Sequence, residues 1–254
     1  MRFCLTFTLF FIASCSTPKT EPVVHVLETT IEPTADGLMV TKIIVSPDGD
    51  GYNEMLATFG KPLENGLLAK SLKSEGMSVR VIESVDMPAI LSTIGTMETR
   101  EFIWHGQFVK WRDVVQRRIP PEGILIVASG VSHFVDQGYL SILARSWLLQ
   151  RASGLFVYVQ LLPSWHIPES AGIVLTQGVK AKQSTLFREL EIEFLLEDGQ
   201  AVLLTTELEV PVRSNGPHIE GPVPVRLGEG LLGGDVEEGK VVLLLIEATI
   251  LTTE

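Results

Sequence analysis

The second half of the chain consists of short apolar runs separated by glycine-containing turns, and this spacing limits the possible folds more than any other feature of the sequence. The runs cover residues 124–127, 139–149, 155–162 and 241–246. Each is shorter than the ~18 apolar residues that a membrane-spanning helix needs. Short apolar runs bounded by turn residues are typical of buried strands. We therefore expect a mostly antiparallel β part over residues 121–254.

Two turns in this part predict antiparallel hairpins. The first is Ser-Gly at residues 153–154, and the second is Glu-Asp-Gly-Gln at residues 197–200, where Asp-Gly supplies the positive φ angles of a tight turn. Residues 213–224 contain three prolines and two glycines, which predicts a long exposed loop. Four later glycines are also expected to form turns, namely Gly228, Gly230, Gly233 and Gly234.

Residues 23–120 mix strand and helix signals, so the whole chain is expected to be an α+β protein with a small N-terminal helix and strand part. The predicted strands cover residues 23–31, 39–45, 77–82 and 102–104. The predicted helices cover residues 63–72, ended by Gly76, and 87–94, with Asp86 as N-cap. Residues 108–119 fit either a strand or a helix, and residues 46–51 are expected to form a loop.

The composition excludes some classes of function. The chain carries a net charge of −11 at pH 7, which argues against nucleic acid, because binding it requires a positively charged surface. Its two cysteines are Cys4 and Cys15, and Cys4 lies in a predicted leader, so no disulfide is expected. With 45% apolar residues, a hydrophobic core can hold the fold instead.

Residues 1–14 have the pattern of a secretory signal peptide. Arg2 supplies the positive charge, residues 3–13 are almost entirely apolar, and small residues precede Cys15. The sequence Ile12-Ala13-Ser14-Cys15 resembles the lipobox of bacterial lipoproteins. An ordinary signal peptide with an incidental cysteine is the alternative.

The lipoprotein resemblance has direct consequences for location. It implies that the leader is cut before Cys15, that Cys15 is acylated, and that the acyl chains hold the protein to a lipid bilayer. Residues 15–22 then form a polar tether. Ser16 after the cysteine implies the outer membrane, with the folded part facing the periplasm.

One acidic segment, residues 48–54, is a candidate metal site. Its oxygen-bearing side chains are Asp48, Asp50, Asn53 and Glu54, and they surround two glycines. Calcium takes six to eight oxygen ligands from a loop that can curl, and glycine permits the curling. A solvated turn without a cation has the same composition, so both interpretations stay open.

The remaining candidates for chemistry are scattered. The five histidines are not paired at i,i+3 or i,i+4, so a zinc site would require residues from distant parts of the fold. Ser132-His133 and Ser164-Trp165-His166 lack the Gly-x-Ser-x-Gly pattern of α/β-hydrolases, and no enzymatic activity is expected. The four tryptophans are Trp104, Trp111, Trp147 and Trp165. They are expected to pack in the core or in hairpins, and an exposed sugar-stacking platform is the alternative.

Residues 139–250 are similar in order to the closing β region of bacterial secretins. The similarity is carried by the hairpin at residues 143–163, by the strands around Asp198-Gly199-Gln200, and by the terminal strand at residues 243–246. The resemblance implies a related strand scaffold without pore activity.

These observations predict a non-enzymatic outer-membrane lipoprotein with a structural or assembly role beside an envelope protein partner. A periplasm-facing lipoprotein that binds a ligand or calcium is the alternative, and an envelope hydrolase is a third hypothesis. Apart from calcium, no cofactor is expected.

Overall fold

Antiparallel strands form most of the structure and a few short helices accompany them, so the chain has the expected α+β, β-rich fold. The computed structural model describes residues 35–47, 49–167, 184–207, 224–233 and 239–251, without the side chains of residues 49 and 50. The predicted leader, the tether, the strand at residues 23–31 and residues 213–223 of the predicted loop lie outside the described residues.

The strands, in chain order, are β1 (Gly37–Pro47), β2 (Lys61–Pro62), β3 (Met77–Glu83), β4 (Gly95–Gly106), β5 (Phe108–Arg118), β6 (Ile124–Ala128), β7 (Val131–Val135), β8 (Tyr139–Arg151), β9 (Gly154–His166), β10 (Ser184–Leu186), β11 (Ile192–Leu196), β12 (Gln200–Thr206), β13 (Pro224–Arg226) and β14 (Val241–Thr249). The α-helices are α1 (Gly49–Thr58), α2 (Gly66–Ser74), α3 (Met87–Thr93) and α4 (Leu227–Leu232). Two single turns of 3₁₀ helix cover Ser84–Asp86 and Arg188–Leu190. Residues 108–119, which fit two patterns, mostly form β5.

The first sheet has six antiparallel strands in the order β2-β3-β12-β14-β1-β4. Strands from both sides of residue 120 therefore contribute to one sheet. Its strand β14 is buried on both faces, because Leu244 and Ile246 enter one hydrophobic core while Leu243 and Leu245 enter another. A strand covered on both faces has no solvent side to carry polar residues, which explains the apolar run at residues 241–246.

The first sheet lies between two layers. On one face, helices α1 and α3 supply Tyr52, Met55 and Ile90 to the smaller core, and Ile94 joins them directly after α3. On the other face, the larger core joins the first sheet to the second sheet and to α2 and α4. Among the described residues, no helix is long and apolar enough to cross a membrane.

The second sheet is built on the long hairpin β8–β9, whose strands pair from Tyr139↔His166 to Arg151↔Gly154. The Ser-Gly turn at residues 153–154 therefore forms the predicted hairpin. Strand β5 pairs with the free side of β8, and β10 and β11 pair with successive parts of β9. A small third sheet has the order β13-β6-β7 and contains a parallel pair, β13 with β6.

The second predicted hairpin is wrong, although its turn forms. The amide of Gln200 donates to the carbonyl of Glu197 at 3.1 Å, and Gly199 has φ +75°. Strand β11 then pairs with β9 in the second sheet, whereas β12 pairs with β3 and β14 in the first. The turn joins two sheets because β12 is buried on both faces and is therefore stable at a central position of the first sheet.

The loop expected at residues 46–51 is also wrong. Strand β1 continues to Pro47 and helix α1 begins at Gly49. Tyr52, Met55 and Leu56 recur at helical spacing and are buried under the first sheet, so burial of this apolar face outweighs the turn preference of the glycines.

The glycines near the C-terminus were expected to form turns, but Gly228 and Gly230 lie inside helix α4. A Cβ on Gly228 would lie 2.6 Å from the carbonyl carbon of Gly76, which is closer than atoms can pack. Glycine is needed here because α4 lies directly against the turn between α2 and β3. Gly233 ends α4 and bridges to Val241, and Gly234 lies outside the described residues.

Candidate functional site

The predicted site residues are only partly covered by the structure. Cys15, Asp48 and the side chain of Asp50 lie outside the described residues. Asn53 and Glu54 are exposed on the solvent side of α1. Within the described ranges, no group of three or more histidine, cysteine, aspartate or glutamate side chains could hold a metal ion. Calcium binding by residues 48–54 stays a prediction.

The segments Ser132-His133 and Ser164-Trp165-His166 do not place a serine hydroxyl and a histidine ring together as a catalytic pair. Ser132 and His133 are neighbours in β7, so their side chains project to opposite faces of the strand. The ring of His166 stacks on that of Tyr139 with centroids 6.2 Å apart. The hydroxyl of Ser164 is buried and has no hydrogen-bond partner among the described residues.

The most distinctive surface is the outer face of the second sheet, which we call the aromatic face. The inner face of β8 and β9 packs in the larger core. On the outer face lie seven half-buried large side chains, namely Trp111, Leu143, Trp147, Leu149, Phe156, Tyr158 and Leu195, together with Leu162, which is fully buried. None of them belongs to either hydrophobic core of the described chain. A sheet face that meets solvent is usually polar, so the half-buried rings and leucines on this face make it a candidate binding surface.

Arg145 lies at the centre of the aromatic face. Its guanidinium carbon is 4.6 Å from the ring centroid of Trp111 and 5.7 Å from that of Trp147. Trp147 also contacts Tyr158 on the neighbouring strand, with ring centroids 4.7 Å apart and planes inclined by 49°. Such cation–π and aromatic pairs hold the rings in defined orientations.

A row of polar side chains beside the rings spans three strands. Arg145 on β8, Gln160 on β9 and Glu193 on β11 are directly opposite one another in the register. Arg145 Nε donates to Gln160 Oε1, and Gln160 Nε2 donates to Glu193 Oε1. Burial and a hydrogen bond with Glu193 raise the pKa of Tyr158 to about 12, so this phenol stays neutral. The row holds Arg145 in a defined orientation.

The aromatic face is similar in composition to protein-binding surfaces in general. Tryptophan, tyrosine and arginine are the residues that most often contribute the binding energy of protein interfaces. Here Arg145, Trp147 and Tyr158 are partly exposed at its centre, and charged Arg151 and Arg118 are exposed toward its ends. Interfaces usually have a polar rim, and the charged residues toward the ends of the face fit that position.

Sequence reasoning foresaw part of this arrangement. Trp147 takes part in hairpin packing and Trp165 packs against the larger core, as expected. It did not foresee that Trp111 and Trp147 meet on one surface. An apolar outer face could have been predicted from residues 139–149, because the positions on both faces of this strand are mostly apolar.

No known protein family matches this chain, and neither a curated protein nor a solved structure matches it.

Proposed function

We propose that this protein is a non-enzymatic lipoprotein of the bacterial outer membrane. Acylated Cys15 holds it to the bilayer, and the folded part faces the periplasm. There it has a structural or assembly role, in which the aromatic face binds another protein. The partly exposed cluster of Trp111, Arg145 and Trp147 is the observation that carries the binding role.

The anchor is supported by the Ile12-Ala13-Ser14-Cys15 sequence at the end of a short apolar leader. Each buried methylene of an acyl chain contributes about 0.8 kcal/mol, and a single chain holds only reversibly. The several chains of a bacterial lipoprotein give durable attachment. A protein held in this way meets other envelope proteins while diffusing in a plane.

The binding role is supported by how the aromatic face is built. Its rings are oriented by the row from Arg145 to Glu193, so little side-chain freedom is lost when a partner binds. The similarity of residues 139–250 to the β region of secretins favours a partner in a secretion or pilus apparatus. That similarity stays a prediction.

Labelling with a palmitate analogue tests the anchor. In cells that express the full chain, we expect label on the wild type and none on Cys15→Ser. Fractionation should place the wild type in the outer membrane. An unlabelled wild type with an uncleaved or unmodified N-terminus would contradict the proposal.

Site-specific photo-crosslinking in intact cells tests the binding role. A photoreactive residue replaces Leu149 on the aromatic face, and the control replaces Val85, which is 82% exposed on a 3₁₀ turn elsewhere. We expect a defined protein adduct from position 149 and none from position 85, with the partner identified by mass spectrometry. Equal adducts at both positions, or none at either, would contradict a role for this face.

A further inference from the structure

We propose that the end of the β8–β9 hairpin contacts the headgroup region of a phospholipid bilayer. We call this segment, residues 149–156, the hairpin tip. The inference goes beyond the proposed function, because it gives the protein a second contact beside the one with its protein partner. It rests on the proposed anchor at Cys15, which brings the chain to a bilayer.

The hairpin tip extends beyond the strands that flank it. Among the described strands, β5 pairs with β8 as far as Ser146, and β11 pairs with β9 as far as Val157. Three further residue pairs, from Leu149↔Phe156 to Arg151↔Gly154, continue the hairpin alone. At ~3.3 Å per residue they extend it by roughly 10 Å. Segments that lie in a bilayer surface reach a depth of about 5–10 Å, so this length suffices for contact without crossing.

The side chains of the hairpin tip are apolar on both faces. Leu149 and Phe156 lie half-buried on the outer face. Leu155 lies on the opposite face, because successive residues of a strand alternate, and it is 43% exposed. The end of a hairpin that meets only water is usually polar, whereas exposed apolar side chains together indicate a contact with a membrane or another molecule.

The chain enters the described fold beside the hairpin tip, and this favours a bilayer as the contact. Gly37, at the start of β1, packs so closely on Gly106 that a Cβ on Gly37 would collide with its carbonyl carbon. The next residue, Gln107, accepts a hydrogen bond from the amide of Leu148 through Oε1 at 3.1 Å, and Leu148 directly precedes the tip. A fold held through the segment between Cys15 and β1 is therefore held at the end that carries the tip.

The composition of the hairpin fits a position at a lipid surface. Residues 137–168 contain two arginines and no acidic residue, although the chain has 31 acidic residues. Arg151 is exposed in the tip, where its guanidinium can bind the phosphate group that phospholipids carry. Trp147 and Tyr158 pair directly behind the tip, and such rings accumulate at the headgroup level of bilayers. Glu197 follows the last pair of β11, so it lies at the base of the tip and leaves the end cationic.

Site-specific fluorescence of the acylated full-length protein in vesicles of phosphatidylethanolamine and phosphatidylglycerol tests this inference. Cys4 lies in the predicted leader and Cys15 is acylated, so an introduced cysteine supplies the only free thiol for a fluorophore. The label is placed by Ser153→Cys in the tip, and the control label by Asp136→Cys, which is exposed just before the opposite end of β8. We expect brominated lipid to quench the label at position 153 and to leave the label at position 136 unquenched.

Two further variants test the side chains of the tip. With the label at position 153, Leu155→Asp should lower the equilibrium constant for bilayer contact at least about tenfold, because a leucine side chain no longer leaves water, and quenching falls accordingly. Arg151→Glu changes an exposed side chain and should also weaken quenching. The matched control is Leu67→Asp, which changes a side chain that is 80% exposed on α2 and should leave quenching intact. Far-ultraviolet circular dichroism verifies that each variant is folded.

Each alternative result has a defined meaning. An acylated, vesicle-bound protein without quenching at position 153 overturns the contact and leaves the anchor standing. Equal quenching at positions 153 and 136, or quenching that survives both Leu155→Asp and Arg151→Glu, also overturns it. A protein that carries no acyl chain would overturn the anchor and this inference together. In every case a protein adduct from position 149 would leave the binding role of the aromatic face standing.

Discussion

At the scale of single residues, Tyr52 connects the helical layer to the first sheet. Its buried hydroxyl donates to the carbonyl of Thr206 at 2.7 Å and lies 2.6 Å from Thr205 Oγ1. Thr205 Oγ1 also donates to the carbonyl of Val242 at 3.0 Å. Burial raises the pKa of Tyr52 far above its usual range, so the phenol remains a neutral donor. This group therefore ties α1 to β12 and β14.

We predict that Tyr52→Phe lowers the free energy of unfolding by about 1–2 kcal/mol, because the carbonyl of Thr206 loses its buried donor. Urea titration followed by circular dichroism measures the change. The control is Tyr139→Phe, since the ring of Tyr139 stacks on His166 and that contact does not need the hydroxyl. A loss for Tyr139→Phe as large as that for Tyr52→Phe would contradict this assignment.

Titration of His105 should affect stability near neutral pH. Burial, and then the charge of Arg112, lower the pKa of His105 below 6.5, and its ring lies 5.5 Å from that of Phe108. The unfolded chain therefore binds more protons between the folded-state pKa and 6.5, and stability rises with pH across this window.

The corresponding variant is His105→Gln. We expect wild-type unfolding free energy to increase from pH 5 to pH 7.5, and the increase to be smaller in the variant. Urea titrations at a series of pH values measure both. An identical pH dependence in the two proteins would show that His105 does not contribute.

At the scale of secondary-structure elements, the contact between α4 and the turn after α2 shows how closely the layers approach. Gly76 has φ +74° and follows the end of α2. The amide of Gly228 donates to the carbonyl of Glu75 at 2.7 Å. Thr206 Oγ1 donates to the carbonyl of Gly76 at 2.9 Å. Three distant segments therefore meet at one backbone turn.

We predict that Gly228→Ala destabilises the protein by at least about 1–3 kcal/mol, because the added methyl group collides with the backbone of Gly76. The matched control is Gly66→Ala at the start of α2, where a Cβ meets nothing within 4 Å and alanine favours the helix. Thermal unfolding of the two variants gives the comparison. Equal melting temperatures would show that α4 can move away from Gly76.

At the scale of the whole molecule, the three layers depend on a central strand that is buried on both faces. Leu244 of β14 faces the larger core and Leu245 faces the smaller one. In a sheet with one solvent face, only one of two adjacent positions would matter for stability.

We predict that Leu244→Ala and Leu245→Ala each cost about 2–5 kcal/mol, measured by urea unfolding. The control is Ile103→Ala on the edge strand β4, where the side chain is 37% exposed and the loss should be smaller. A mild effect of either leucine variant would mean that one of the two covering layers contributes little.

Much of the local structure could be predicted from the sequence. The strands at residues 77–82 and 241–246, the hairpin closed at residues 153–154 and the helix before Gly76 were expected and are present. The path of the chain after the Asp-Gly turn could not be predicted, because a turn of this kind can either close a hairpin or join two sheets. Here the burial of β12 on both faces favours the connection between two sheets.

The amino-acid sequence by itself determined the strand-rich α+β class, the long strands of the second half, helices α2 and α3 and the turns at residues 153–154 and 197–200, because these depend on residues within a few positions of one another. Only the tertiary structure decided which strands pair and which side chains share a surface. Arg145, Trp111 and Glu193 meet because β5, β8, β9 and β11 lie side by side. Such contacts join residues far apart in the chain, and they exist only after the sheets have packed.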